Sequence, residues 1–287
     1  MKALVFMIVR RLHKVGELLA VLEEDTPQMR EVRRLLFEGG CFPSRRTFHR
    51  RLKAVPDSLA EQIGCLGRHL VEVLRPWESR GRAVALDSTT LRAKGGVWHK
   101  KDREAGIVPH TSIDTEAGWT KSGWHGWVYG WKLHLAIAVC GVWIPLCARL
   151  TPANTADNEV APHLIEELPR EARFVLGDIH YNAPNVREAC ESTERFLVTT
   201  KRGSYPHTDD GVEVRRIFHK LRSMANENFN EHFKAIFEVH EQVPTKGSIN
   251  TQRFALGAVF VYQLALLCRH ERKLDINRGL KPFLRAV

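Results

Sequence analysis

The run WKLHLAIAVCGVWIPLCARL, residues 131–150, is the strongest indicator of the fold. Two apolar segments, Trp131–Val139 and Val142–Leu150, flank the dipeptide Cys140-Gly141. Their β-branched and aromatic residues predict two strands, and the dipeptide between them predicts a tight turn. The stretch therefore predicts a β-hairpin within a larger sheet.

Further strands and helices alternate around this hairpin. Upstream, Arg82–Asp87 predicts a short strand. Downstream, helices are predicted over Glu159–Leu168 and Ala183–Glu191, and strands over Arg173–Gly177 and Phe196–Thr199. Three strands that can pair antiparallel, followed by alternating helix and strand, predict an α/β fold with one mixed sheet and flanking helices. That order matches a ribonuclease H-like sheet.

The first 78 residues have a different pattern, which is helical and basic. Ser44 predicts the cap of a helix that begins at Arg45. Between Arg30 and Lys53, eight Lys and Arg residues stand against two Glu residues, which fits DNA contact and a solvated helix face equally well. We therefore divide the chain into a small all-α region over 1–78, expected to be a reduced or truncated DNA-binding part, and an α/β domain over 79–287.

Composition and charge limit the function classes. The 287 residues are 44% hydrophobic and 26% charged, which excludes a disordered chain and a small disulfide scaffold. A net charge of +10 favours a polyanionic partner. The six cysteines show no CxxC spacing and suit a reducing cytosol. The longest uncharged run, Phe254–Cys268, has 15 residues, which is short of the ~18–20 residues that span a bilayer. We therefore expect this run to form a buried helix, and we expect no membrane partner. The expected localisation is the cytoplasm, at the nucleoid when the protein is bound to DNA.

A long segment from about Arg92 to Val128 is predicted to be a loop. Loops of this length inside a domain are usually functional. Its aromatic side chains could stack on unpaired bases or pack against the sheet, and the sequence leaves both roles open. They are Trp98, Trp119, Trp124 and Trp127.

Several common catalytic motifs are absent from the sequence. There is no G-x-x-x-x-G-K-[ST] motif, so no ATP site is expected. Ser88 does not stand in a G-x-S-x-G nucleophile elbow. The histidines, among them His99, His110, His125 and His134, are spaced too irregularly for a zinc site.

Two acidic residues stand at the ends of predicted strands. Asp87 closes the run AVALD, and Asp178 closes the run RFVLGD. A carboxylate at the end of a buried strand lies on the rim of the sheet, where it is held rigidly and open to solvent. Each Asp could instead cap the turn that follows it, which is a common role for this residue.

A third acidic candidate lies in an amphipathic helix around NENFNEHFKAIFE, residues 226–238. At 100° per residue, the phenylalanines cluster on one face and a polar face lies opposite. Periodicity alone does not choose between the two Glu residues of this face, and a plain solvated face is equally compatible. The polar face carries Glu227, Asn230, Glu231 and Lys234.

Three carboxylates from two strands and one helix could hold two Mg²⁺ ions. Mg²⁺ prefers hard oxygen ligands and binds through a few carboxylates together with substrate phosphates. Two such ions stabilise both the attacking and the leaving oxygen of an in-line phosphoryl transfer. A basic protein with this cluster fits phosphodiester chemistry on DNA.

Five segments, taken in order, resemble one known family. They are ALDSTTLRA at 85–93, YGWKLHL at 129–135, LTPANTADNE at 150–159, LGDIHYN at 176–182 and ENFNEHFK at 227–234. Together they cover most of residues 82–265. This region resembles the catalytic domain of DDE transposases of bacterial insertion sequences, in the insertion-sequence-four-like branch.

The resemblance implies a ribonuclease H-like fold and a catalytic, metal-binding triad of Asp87, Asp178 and Glu227. It also implies two Mg²⁺ ions, for which Mn²⁺ can substitute. It favours Glu227 over Glu231, because the family pattern places a Lys seven residues after its Glu, where this chain has Lys234.

The activity that the resemblance implies is metal-dependent cleavage of insertion-sequence ends and strand transfer into target DNA. The expected partners are double-stranded terminal inverted repeats and target DNA, with a homodimer in the DNA complex. The alternative is a catalytically inactive DNA-binding derivative that acts as a repressor. The candidate DNA contacts are Lys132, Lys234, Arg222, Arg45, Arg46 and Arg50. Of these, Arg222 stands five residues before Glu227, whereas the family Arg stands four residues before its Glu.

Overall fold

The structure is a computed structural model that describes most of the chain. The described residues are 1–37, 43–75, 82–123, 126–140, 142–199, 220–222, 228–276 and 278–285.

The described N-terminal residues are helical, as the sequence predicts. The helices are α1 (Lys2–Val9), α2 (Val15–Glu23), α3 (Pro27–Leu36) and α4 (Arg45–Leu74). The predicted cap of α4 is confirmed, because the Ser44 side chain accepts a hydrogen bond from the Thr47 backbone N–H at 3.2 Å. Such a cap satisfies one of the free N–H groups at the start of a helix.

In the described part of the chain, six strands form one mixed sheet. They are β1 (Ala83–Arg92), β2 (Gly118–Ser122), β3 (Gly126–Cys140), β4 (Val142–Pro152), β5 (Phe174–Gly177) and β6 (Phe196–Thr199). The strand order is β4-β3-β1-β5-β6, with β2 paired to the first residues of β3. The pairs β4-β3 and β3-β1 are antiparallel, and β1-β5 and β5-β6 are parallel. The sheet is therefore ribonuclease H-like, as predicted.

The central hairpin is confirmed and is longer than predicted. Trp131 pairs with Pro152 at its open end, and Cys140 pairs with Val142 at the turn. β1 also continues past the predicted end at Asp87, because Thr89 and Leu91 alternate into the core and the strand stays paired with β3 as far as Arg92. Asp87 therefore lies within β1, and the expectation that it closes the strand is wrong.

The remaining helices cover the sheet. They are α5 (Lys100–Glu104), α6 (Asp157–Glu166), α7 (Pro184–Ser192), the helical residues 228–237 (here α8), α9 (Ser248–Glu271) and α10 (Leu280–Arg285), with a short 3₁₀ helix at Ile179–Tyr181. The segment predicted as one long loop after β1 therefore contains α5 and β2. Within it, Trp98 and Trp119 pack against the core, whereas Trp127 is 64% exposed. Packing is thus confirmed for two of the tryptophans, while Trp124 lies outside the described residues.

Helix α9 contains the long uncharged run and lies in the core. Its length and composition would allow it to cross a membrane, but 78% of its apolar window is buried inside the protein, as expected for a core helix. The buried Gln263 side chain donates hydrogen bonds to the carbonyl of Ile63 on α4 at 2.9 Å and to that of Pro145 on β4 at 2.7 Å. The N-terminal helices and the sheet thus share one hydrophobic cluster. The domain boundary between residues 78 and 79 stays a prediction.

Candidate active site

The strand pairing brings Asp87 and Asp178 to the same place. β1 lies between β3 and β5, and Ala85 on β1 is paired with Leu176 on β5. Extending this parallel register by two residues sets Asp178 beside Asp87. Because β5 ends at Gly177, the edge of β1 at Asp87 is no longer covered by a paired strand on that side. The two carboxylates therefore meet at an open point of the sheet.

A tight turn fixes the orientation of Asp178. Its Oδ1 accepts a hydrogen bond from the His180 backbone N–H at 2.8 Å and caps the 3₁₀ helix. The turn requires glycine at position 177, since a Cβ there would lie 2.7 Å from the Cβ of Tyr181. The capping role considered in the sequence analysis is thus present, and it holds the carboxylate at the sheet edge.

The buried phenol of Tyr181 lies within electrostatic reach of the carboxylates. Burial raises its pKa well above the usual value, and the negative charges of Asp157, Asp87 and Asp178 raise it further. Tyr181 therefore stays protonated and neutral at physiological pH. The sequence analysis did not single it out, although it stands inside the quoted motif LGDIHYN.

Helix α8 contacts the site through Asn230. The Asn230 side-chain Nδ2 donates a hydrogen bond to Asp87 Oδ2 at 3.1 Å. Asn230 is only 9% exposed, and its Oδ1 has no hydrogen-bond partner among the described residues. At Asn230, the polar face predicted from helical spacing is therefore the face of α8 that contacts Asp87.

Two cations from the same part of the chain influence the Asp87 carboxylate. Lys234, on α8, is 8% exposed; burial lowers its pKa, while the charges of Glu231 and Asp87 raise it. Arg222 is half-buried, and its positive charge lowers the pKa of Asp87. The structure thus places two of the predicted DNA contacts within electrostatic reach of the predicted site.

The carboxyl group of Asp87 is the most perturbed acid of this cluster. Burial raises its pKa to about 7, and the charges of Asp178 and Asp157 contribute in the same direction. A hydrogen bond from the Ser88 backbone and the charge of Arg222 oppose the rise. Crowded, partly desolvated carboxylates of this kind are stabilised by a nearby cation.

Lys132 belongs to a network around Asp157, an acid whose charge also acts on Asp87. Asp87 is paired with Leu135, and side chains alternate between faces along β3, so Lys132 and His134 point away from the Asp87 side. Lys132 Nζ lies 3.1 Å from Asp157 Oδ1, and its side chain is only 13% exposed. A phosphate group would have to compete with Asp157 for this amine.

The same network contains a buried histidine. His134 Nε2 lies 2.8 Å from Thr151 Oγ1, and His134 Nδ1 lies 3.5 Å from Asp157 Oδ1. Burial lowers the pKa of His134 to about 4, although the Asp157 charge acts in the opposite direction. These contacts attach the first turn of α6 to β3 and β4, and the sequence analysis missed them.

The other predicted site residues lie elsewhere. The first turns of α4 carry three exposed arginines, Arg45, Arg46 and Arg50, which are accessible to a partner. In the sequence they lie well before β1 and β5. Glu227 lies outside the described residues. Within the described residues, no group of three or more His, Cys, Asp or Glu side chains is arranged to hold a metal ion, so the carboxylates placed here are the pair Asp87 and Asp178.

Fold and site together define an α/β protein with paired acidic residues at the open edge of a ribonuclease H-like sheet. Residues 78–223 match the family described as transposase DDE domain, and the chain belongs to that family. The matched range includes Asp87, Asp178 and Arg222 and ends before Glu227.

The chain is also similar to solved structures of Mos1 transposase. One is a paired-end complex with the left transposon end, at 13% identity and a TM-score of 0.24, covering 92% of this chain and 96% of that chain. Another is a mariner paired-end complex with Mn, at 15% identity and a TM-score of 0.25, covering 91% of this chain and 79% of that chain. No curated protein matches the chain significantly.

The raised pKa of Asp87 predicts a pH-dependent change in stability. In EDTA, Asp87→Asn should stabilise the protein at pH 8, because the folded pKa of about 7 exceeds the unfolded value of 3.8 and the charged form therefore opposes folding. One pKa unit corresponds to about 1.4 kcal/mol, and partial exposure of the carboxylate reduces the gain to on the order of 2 kcal/mol.

The gain should shrink as the pH falls from 7 towards 4, because wild-type Asp87 then becomes neutral as well. Urea unfolding at pH 8, 6 and 4.5 measures this trend. Asp25→Asn is the matched control, since the Asp25 side chain is 78% exposed. A constant difference between wild type and Asp87→Asn at all three pH values would contradict the prediction.

Proposed function

We propose that this transposase cleaves the ends of a mobile DNA element and joins them to target DNA in a reaction that requires divalent metal ions. The observation that carries the proposal is the meeting of Asp87 and Asp178 at the point where β5 ends, with α8 attached to Asp87 through Asn230. This arrangement concentrates hard oxygen ligands at one accessible edge of a rigid sheet.

The donor set fits Mg²⁺ or Mn²⁺. Carboxylate and carbonyl oxygens are the ligands that these ions prefer, and the oxygen-bearing groups placed here are the carboxylates of Asp87 and Asp178 and the amide of Asn230. Mutual repulsion between Asp178 and Asp87 also favours a bound cation, since it raises the pKa of Asp87 when none is present. Asp87 and Asp178 would hold the ions, and we propose Glu227 as the third carboxylate.

When bound, the divalent ions supply charge stabilisation for the attacking and leaving oxygens of an in-line phosphoryl transfer. The residues of the chain itself hold the Asp87 and Asp178 carboxylates in position. The cap at His180 fixes Asp178, the Asn230 amide holds Asp87, and the pairing of β1 with β3 fixes the backbone at Asp87. Lys234 and Arg222 add positive charge beside the carboxylates, where a DNA phosphate would also lie.

Charge elsewhere on the protein supports a DNA partner. The net charge is +10, and Arg45, Arg46 and Arg50 are exposed together on α4. Lys and Arg contacts to phosphates release counterions and make binding strongly dependent on salt. We propose that double-stranded transposon ends and target DNA are the partners, that the protein acts as a homodimer on them, and that it works in the cytoplasm at the nucleoid.

The experiment is cleavage of a labelled DNA fragment that carries the inverted repeats flanking the reading frame. In Mg²⁺ or Mn²⁺, the protein should cut at the repeat end and transfer the strand to a target plasmid. In EDTA it should bind without cutting, and Ca²⁺ should support binding with little chemistry, because it is larger and more loosely coordinated. These conditions test the metal requirement directly.

Two outcomes would contradict the proposal. Full cleavage in EDTA would show that no divalent ion is needed. Specific binding to the repeats without cleavage in either Mg²⁺ or Mn²⁺ would favour the alternative, a catalytically inactive DNA-binding derivative that represses transposition.

A further inference from the structure

The side chain of Asn230 is placed to do more than join α8 to the sheet. It lies 143 positions from Asp87 in sequence, yet its Nδ2 donates to Asp87 Oδ2 at 3.1 Å. The residue is 9% exposed, so this contact is made away from bulk water. A buried hydrogen bond between a neutral amide and a carboxylate requires a defined orientation of both groups.

The orientation of the amide follows from the charge of its neighbour. An ionised carboxylate only accepts hydrogen bonds, so the amide must turn its NH₂ group towards Asp87. The Oδ1 atom of Asn230 belongs to the same amide group, so it also lies near the Asp87 carboxylate. It is buried and has no hydrogen-bond partner among the residues that the structure describes.

A buried carbonyl oxygen without a partner is costly. Leaving such a group unsatisfied costs roughly 1–3 kcal/mol, and in native proteins such groups commonly mark a functional site or an ion. An amide oxygen is a hard, neutral ligand of the kind that Mg²⁺ and Mn²⁺ accept. Because Asp87 is a proposed ligand of these ions, a cation held by Asp87 would lie next to Asn230.

We propose that Asn230 joins Asp87 and Asp178 in the metal site: its Nδ2 holds the Asp87 carboxylate, and its Oδ1 is a neutral oxygen ligand of the divalent ion. This inference rests on the proposed function. It explains why a polar side chain is buried on α8 at the point of contact with β1, and why one of its two polar atoms has a partner and the other has none.

The test measures binding of Mn²⁺ alone to the full chain, by the loss of the free-ion electron paramagnetic resonance signal. Asn230→Ala should weaken Mn²⁺ binding on the order of 10–100-fold, the range seen when a supporting group of a metal site is removed. Asn230→Asp should bind Mn²⁺ at least as tightly as the wild type, because a carboxylate oxygen replaces the amide oxygen as ligand. Asn230→Leu keeps most of the side-chain volume but cannot ligate, and should match Asn230→Ala.

The control variant is Asn250→Ala. Asn250, on α9, is exposed and donates its side-chain hydrogen bond to the carbonyl of Lys246, not to a carboxylate. Its Mn²⁺ affinity should equal that of the wild type. Thermal unfolding of every variant in EDTA identifies any that does not fold, and the remaining two Asn230 variants then decide the result.

Three results would overturn the inference. Unchanged Mn²⁺ affinity in Asn230→Ala and Asn230→Leu would exclude a ligand role. Equal weakening in Asn230→Asp and Asn230→Ala would show that the amide only donates to Asp87. The variant Asp87→Ala separates the inference from the proposed function. If Asp87→Ala abolishes Mn²⁺ binding while Asn230→Ala leaves Mn²⁺ binding unchanged, only the inference fails. If Asp87→Ala has no effect on Mn²⁺ binding, the proposed metal site itself is wrong.

Discussion

Asp87→Asn should lower the rate of transposon-end cleavage in Mg²⁺ by at least about 1000-fold, the loss expected when charge stabilisation of a transferring phosphoryl group is removed. Asparagine keeps the size of the side chain but removes the negative charge that attracts the ion. The fold should persist, because the new amide can still accept a hydrogen bond from Asn230 Nδ2. Asp178→Asn should have a comparable effect on the cleavage rate. Its fold should also persist, since the hydrogen bond from the His180 N–H needs only an oxygen acceptor.

Single-turnover cleavage of the labelled end fragment measures the rate, and a gel shift in EDTA measures DNA binding separately. Asp25→Asn, in the exposed connection between α2 and α3, makes the same chemical change outside the sheet and should cut normally. Retention of more than about a tenth of the wild-type rate in Asp87→Asn would exclude this carboxylate as a metal ligand.

Glu227→Gln should also reduce cleavage by orders of magnitude, on the order of 100- to 1000-fold, whereas Glu231→Gln should cost far less. The described part of α8 supplies the reason. Asn230 and Lys234 are buried on the side that meets Asp87, and Glu231 is exposed. At 100° per residue, position 227 falls nearer to the direction of Asn230 and Lys234 than position 231 does.

The two variants should be compared by the same cleavage assay at equal thermal stability. Both substitutions keep helix propensity and remove one negative charge, so each is the matched control of the other. Normal cleavage by Glu227→Gln with an inactive Glu231→Gln would mean that the register is wrong by one helical turn. Normal cleavage by both would mean that α8 does not contribute the third carboxylate.

The sequence by itself was sufficient for the local elements. The hairpin at residues 131–150, the cap at Ser44 and the short strand before Asp178 are each encoded by neighbouring residues, through turn chemistry, side-chain alternation and capping. The order of these elements then indicated the mixed sheet, because few topologies accommodate it. The family motifs selected Asp87 and Asp178, and their positions beside each other in the sheet agree with that choice.

Only the tertiary structure decided which distant residues meet. The continuation of β1 past Asp87 depends on pairing with β3, and the unpaired edge of β1 at Asp87 depends on where β5 ends. The hydrogen bond from Asn230 and the ion pair between Lys132 and Asp157 join residues that are far apart in sequence. Local sequence patterns do not identify such partners, because burial, desolvation and charge proximity arise only when the elements pack together.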